Sequence, residues 1–113
     1  MEHFIRVYQL FSFYGQLLTE KQRLAVEWYF GHDLSLAEIA SELGISRQAV
    51  HDLLKRAEQT LTAYEEKLGL AESYARRQEQ LAKLDQLLKQ LRDDEADPRW
   101  QQVFALLAAQ KKG

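Results

Sequence analysis

Ser46, Arg47, Gln48, His51, Lys55 and Arg56 fall within eleven residues, with Asp52 the one acid among them. A helix beginning at Ser46 is expected to present all but the cap outward. An arginine can donate two hydrogen bonds to guanine, and a glutamine amide can pair the same way with adenine. Lysine and arginine further along a helix meet phosphate. Such a set suits the start of a helix laid in the major groove of double-stranded DNA. Arg47 and Gln48 are expected at base edges, with Ser46 and His51 beside them. Lys55 and Arg56 are expected at phosphates.

Other chemistries find little support. The chain has no cysteine, which excludes disulfides, thiolate metal sites and thiol catalysis and suits a reducing cytoplasm. His3, His32 and His51 stand at no i, i+3 or i+4 spacing, so no metal site is expected. Glu65–Glu66 and the run Asp93, Asp94, Glu95 read as solvated acids rather than an acid–base pair. No phosphate-cradling glycine loop, nucleophile elbow or H-E-x-x-H motif occurs. The chain is expected to be no enzyme and to need no cofactor.

The basic cluster must be held by its neighbours, and the flanking residues have the types to do so. Residues 35–56 read SLAEIASELGISRQAVHDLLKR. Ala40 is small where a second helix would cross the first. Gly44, four residues on, tolerates the positive φ of a tight turn. Val50 faces the alanine, and Ile39, Leu43, Ile45 and Leu53 complete a small core. Ser35 with Glu38, and Thr19 with Gln22, have capping-box spacing. Together these residues specify a helix-turn-helix.

The rest of the chain is also helical in period, with one proline and no β alternation. Phe4, Val7, Tyr8, Phe11, Tyr14 and Leu18 form the expected core stripe of the first helix, and Ile5, Leu10, Phe13 and Leu17 fill its flanks. Leu24, Trp28 and Tyr29 are expected to face inward before a left-handed stop at Gly31. The helix from Ser46 is expected to bury Leu54, Ala57 and Leu61, continue to Tyr64 and Leu68, and stop at Gly69. Tyr8, Phe11, Tyr14, Trp28 and Tyr64 read as core, not as a base-stacking platform. Tyr74, Leu81, Leu84, Leu88 and Leu91 make a short heptad seam with Arg77 inside it. Asp97 and Pro98 are expected to open a last helix with Lys111 and Lys112 at its end. The fold class is therefore all-α: a helix-turn-helix domain over 1–69 and a helical extension over 70–113. An over-apolar first helix and the seam both suggest a homodimer.

With 113 residues, 46% of them hydrophobic and 28% charged, the chain can bury a core without staples. No apolar run is long enough to span a bilayer, so membrane insertion is not expected. The net charge is −2, with seven basic against ten acidic groups in residues 1–70. That balance weakens any long-range pull on a duplex and leaves a protein partner open.

The run LLTEKQRLAVEWYF followed by DLSLAEIASELGISRQAVHDLLKRAEQTLTAYEEKLGL resembles the YlxM family of small bacterial proteins over about residues 4–70. Leu18 to Leu61 is also similar to region 4 of bacterial sigma factors, which reads promoter DNA. The resemblance implies a cytoplasmic DNA-binding regulator contacting DNA through Arg47, Gln48, His51, Lys55 and Arg56. It also implies a link to the signal recognition particle pathway. The alternative is an adaptor that modulates the particle's GTPases without binding DNA.

Overall fold

A computed structural model describes residues 2–91 and 97–112. The described residues form helices α1 (Glu2–Tyr14), α2 (Glu20–Val26), α3 (Leu36–Leu43), α4 (Arg47–Leu68), α5 (Leu70–Leu91) and α6 (Trp100–Lys112). A 3-10 turn (Gly15–Leu17) follows α1, and a π turn (Glu27–Gly31) follows α2. There is no strand among the described residues, so the chain is all-α. The acidic run at 93–95 lies outside them, as do the side chains of Lys111 and Lys112. Two compact units divide the chain, Met1–Ala71 and Glu72–Gly113.

The core of the first unit gathers side chains from α1 to α4. Val7, Leu10, Tyr14, Leu18, Ala25, Val26, Ile39, Val50, Ala57 and Leu61 are all buried there. Each Val, Leu or Ile so buried is worth about 1.5–3 kcal/mol relative to exposure. The stripe on α1 is rotated from the expected one. Leu10 is inside, while Phe4, Ile5, Tyr8 and Leu17 remain exposed. Tyr8 stacks on Phe11 at 5.8 Å between ring centroids, at the surface rather than in the core. On α2, Ala25 and Val26 take the inner position and Leu24 is only half-buried.

Gly31 does not adopt the left-handed conformation; Asp33 does, with φ +58°. The π turn is the reason. The His32 amide donates to the Glu27 carbonyl, and the Leu34 amide to Trp28, at 3.1 and 2.9 Å. The reversal is thereby delayed by two residues. Gly31 serves packing instead, since a Cβ there would lie 3.1 Å from the Tyr8 ring. Close approach, not backbone freedom, accounts for the glycine.

The end of α4 is fastened by a polar clamp. The Tyr14 hydroxyl donates to Glu65 Oε1 at 2.6 Å and accepts from the Leu70 amide at 3.0 Å. The same Glu65 oxygen accepts from the Ala71 amide at 3.0 Å. Gly69, with φ +60°, makes the sharp turn just before the two amide donors, Leu70 and Ala71. Leu68, just before it, is exposed rather than packed.

The second unit has its own small core. Leu84, Leu87 and Leu91 of α5 are buried with Val103 of α6, and Trp100 and Leu106 pack against them. The heptad seam is therefore split. Leu84 and Leu91 turn to α6, joined by Leu87, while Tyr74, Leu81 and Leu88 stay exposed. Asp97 organises the approach to α6. Its Oδ1 accepts from the Arg99 amide at 2.9 Å, and its carboxylate binds the Arg99 guanidinium. That guanidinium holds the Asp97 carboxyl below the usual aspartate range. Pro98 sits in this turn, and the α-helix proper starts two residues later than it.

Candidate nucleic-acid interface

The expected reading face is set by α3, the turn at Gly44, and α4. Ser35 Oγ accepts from the Glu38 amide at 3.1 Å, and Glu38 Oε1 accepts from the Ser35 amide at 3.0 Å. The bond from the Ser35 amide, and then the Ser35 hydroxyl, hold the Glu38 carboxyl below its ordinary range. Gly44 caps α3 in the left-handed region, φ +68° and ψ +34°. Two residues later Ser46 Oγ accepts from the Ala49 amide at 3.0 Å and starts α4. Only a residue tolerant of positive φ lets the two helices follow so closely.

Beneath the face, Ile39 and Val50 are fully enclosed and Ala40 is 7% exposed. Leu43, Ile45 and Leu53 are half-buried and pack on the same core. These six side chains and Gly44 are therefore brought together at the crossing of α3 and α4. Leu54 also enters this core, 8% exposed, one residue past Leu53.

Ser46, Arg47, Gln48, His51, Lys55 and Arg56 are all exposed on the first half of α4. Val50, Leu54 and Ala57 are the buried residues of the same stretch. Their arrangement has one complication. Gln48 Nε2 donates to Asp52 Oδ1 at 3.2 Å, and His51 Nδ1 lies 3.7 Å from that oxygen. Asp52 therefore occupies the amide needed for base reading. The i, i+4 spacing of Gln48 and Asp52 carried this signal in the sequence. Both Asp52 and His51 are more than half exposed, so the bond is readily exchanged for another.

Glu58 is a second acid that sequence reasoning did not bring forward. It lies one turn past Lys55 and is contacted by His3 of α1. The two are too distant in the chain for any spacing rule to pair them. The other histidines each approach one carboxylate, His32 beside Glu27 and His51 beside Asp52. Among the described residues no three His, Asp or Glu side chains gather to hold a metal. No described helix is long and apolar enough to cross a membrane.

A family model described as "Putative helix-turn-helix protein, YlxM / p13 like" matches residues 1–100. The chain belongs to this family, UPF0122. It is 49% identical over 96 residues to the UPF0122 protein of Desulforamulus reducens, spanning 85% of this chain and 82% of that one. The UPF0122 proteins of Bacillus cereus strain AH187 and Bacillus anthracis strain A0248 are each 49% identical over 90 residues. Those matches span 80% of this chain and 82% of theirs. The UPF0122 match runs from α1 through α5 to the first residue of α6.

Proposed function

We propose that this UPF0122 protein is a cytoplasmic regulator that binds double-stranded DNA through the first half of α4, working as a homodimer. The observation that carries the reading is the exposed row of Arg47, Gln48, His51, Lys55 and Arg56 on a helix start fixed by Ser46 and Gly44. Arg47 and Gln48 read bases, with Gln48 released from Asp52 on contact. Lys55 and Arg56 neutralise phosphates. The 1–69 domain does the reading, and the 70–113 extension serves assembly.

Electrostatics sets the scale. Two cations neutralising two phosphates give a log–log salt slope of about −1.8. Affinity then falls ~12-fold between 50 and 200 mM salt for one copy, and ~150-fold for two. Anisotropy of a labelled random duplex pool tests this directly. Arg47→Ala should weaken binding to a selected site, while Lys55→Ala should reduce the slope by about one. Absence of binding at 50 mM salt refutes the reading.

A second reading is favoured by the net charge of −3 on residues 1–70 and by Asp52 on the exposed face. In it the same surface docks on a component of the signal recognition particle and modulates its GTPases. Adding the protein should then change the GTPase cycle. An unchanged cycle at saturating protein refutes it.

A further inference from the structure

A groove of about 760 Å³ lies between α1 and the segment of the π turn, and none of the basic row on α4 lines it. Phe4 and Tyr8 of α1 and Tyr29 and Phe30 of the π turn wall it with aromatic rings. Phe4 stacks on Tyr29 at 5.5 Å and meets Phe30 edge-on at 4.9 Å, so these rings brace one another. Phe4 and Tyr8 are nonetheless exposed, as is Ile5 beside them.

Charge says what the groove takes. Asp33 is the one charged side chain lining it, and no basic side chain of the described residues does so. It is also the one non-glycine residue in the left-handed region among the described residues, φ +58°. Its carboxylate is exposed, and among the described residues none bonds to it or pairs with it. A purely apolar occupant would strip water from that carboxylate and give nothing back. A phosphate or an acidic segment would be repelled by it. Aromatic faces attract a cation as the carboxylate does, so both parts of the wall favour the same charge. A guanidinium suits them better than an ammonium, because it is planar, stacks on rings and pairs with a carboxylate through two bonds.

We propose that this groove docks a short segment of a partner protein in which an arginine stands beside apolar residues. The guanidinium pairs with Asp33 against the aromatic wall, and the apolar neighbours cover Phe4 and Ile5. The α1 wall from Phe4 to Ser12 is about 12 Å long, room for about four residues of extended chain. The exposed Gln9 amide on that wall offers a donor and an acceptor to the segment's backbone. This docking goes beyond the DNA-binding reading and does not depend on it.

The probes are fluorescein-labelled octapeptides that alternate leucine with arginine, glutamine or glutamate, titrated with the full chain and read by anisotropy. The leucine–arginine peptide should bind about tenfold tighter than the leucine–glutamine one, and the leucine–glutamate peptide should not bind. Asp33→Asn should weaken the leucine–arginine peptide about fivefold. Asparagine accepts the positive φ as aspartate does, so this variant keeps the backbone. If it melts early, Asp33→Gly, equally at ease there, takes its place. Tyr8→Leu keeps the wall apolar but removes a ring, and should weaken the same peptide about threefold. Glu42→Gln, which removes an exposed acid of α3 outside the groove, should leave binding unchanged. Equal binding of the arginine and glutamine peptides overturns the proposal. So does full affinity in the Asp33 variant, or an equal loss in Glu42→Gln, which would mark a general attraction to acids. Absence of binding at hundreds of micromolar protein overturns it as well. None of these results bears on duplex binding, which is measured separately.

Discussion

Tyr14→Phe isolates the clamp at the end of α4. The change removes one hydroxyl and keeps the ring, which is 1% exposed and stacked on Tyr64 at 5.9 Å. Lost is a hydrogen bond to the Glu65 carboxylate, a class worth about 1.5–3 kcal/mol net. The Leu70 amide also loses its acceptor, but Leu70 is 45% exposed and water can replace it at small cost. Glu65 keeps the Ala71 amide. The expected loss is therefore about 2 kcal/mol, which corresponds to a fall in Tm of roughly 10 °C for a domain this size. Urea unfolding followed by Trp28 fluorescence in a Trp100→Phe background reads the first unit. The pH dependence adds a second check. Burial, and then the hydrogen bond to Glu65, push the Tyr14 hydroxyl above its ordinary value of 10.0. A folded-state value raised in this way gives stability that is complete below pH 10 and is lost as pH rises past it. The gap between wild type and Tyr14→Phe should narrow above pH 10. A loss under about 0.5 kcal/mol, or a gap that widens with pH, refutes the clamp.

The helix-turn-helix yields three further expectations. Ser46→Ala removes the cap of α4 and should cost about 1 kcal/mol, measured by thermal melting. Gly44→Ala should cost about 1–2 kcal/mol from the left-handed backbone alone, because a Cβ there meets nothing within 4 Å; a neutral result in urea would show that the turn can relax. Ala40→Leu crowds the crossing of α3 and α4 and should cost about 1–3 kcal/mol by the same assay, with amide exchange speeding first around that crossing.

Local rules made much of this fold legible. Thr19, Ser35 and Ser46 cap helices because a short oxygen side chain ahead of an apolar run has little else to do. Gly44 and Gly69 reverse the chain because each follows the last periodic residue of a helix. The failures share a cause, the choice of neighbour. Apolar residues surround α1, so its periodicity could not say that Leu10 goes in and Phe4 and Tyr8 stay out. Leu87 lies beside the heptad seam, and its burial depends on where α6 arrives. The π turn leaves no motif, so Gly31 reads as the stop that Asp33 in fact provides. At the candidate interface the outward residues followed from period alone. The Gln48–Asp52 bond was signalled by its i, i+4 spacing, whereas the meeting of His3 with Glu58 needed the tertiary fold.

The π turn also acts as a phase shifter. One residue more than an α-helical turn rotates all that follows by about 100°, since α-helical residues are spaced by that angle. The half-buried Leu34 and the cap at Ser35 thus receive their bearing from Glu27–Gly31. A deletion of one residue there would restore an ordinary helix and turn α3 and α4 off their registration with α1. Substitutions that preserve the count would leave the bearing intact. Length, more than identity, is what this segment holds constant, and the aim of the helix-turn-helix depends on it.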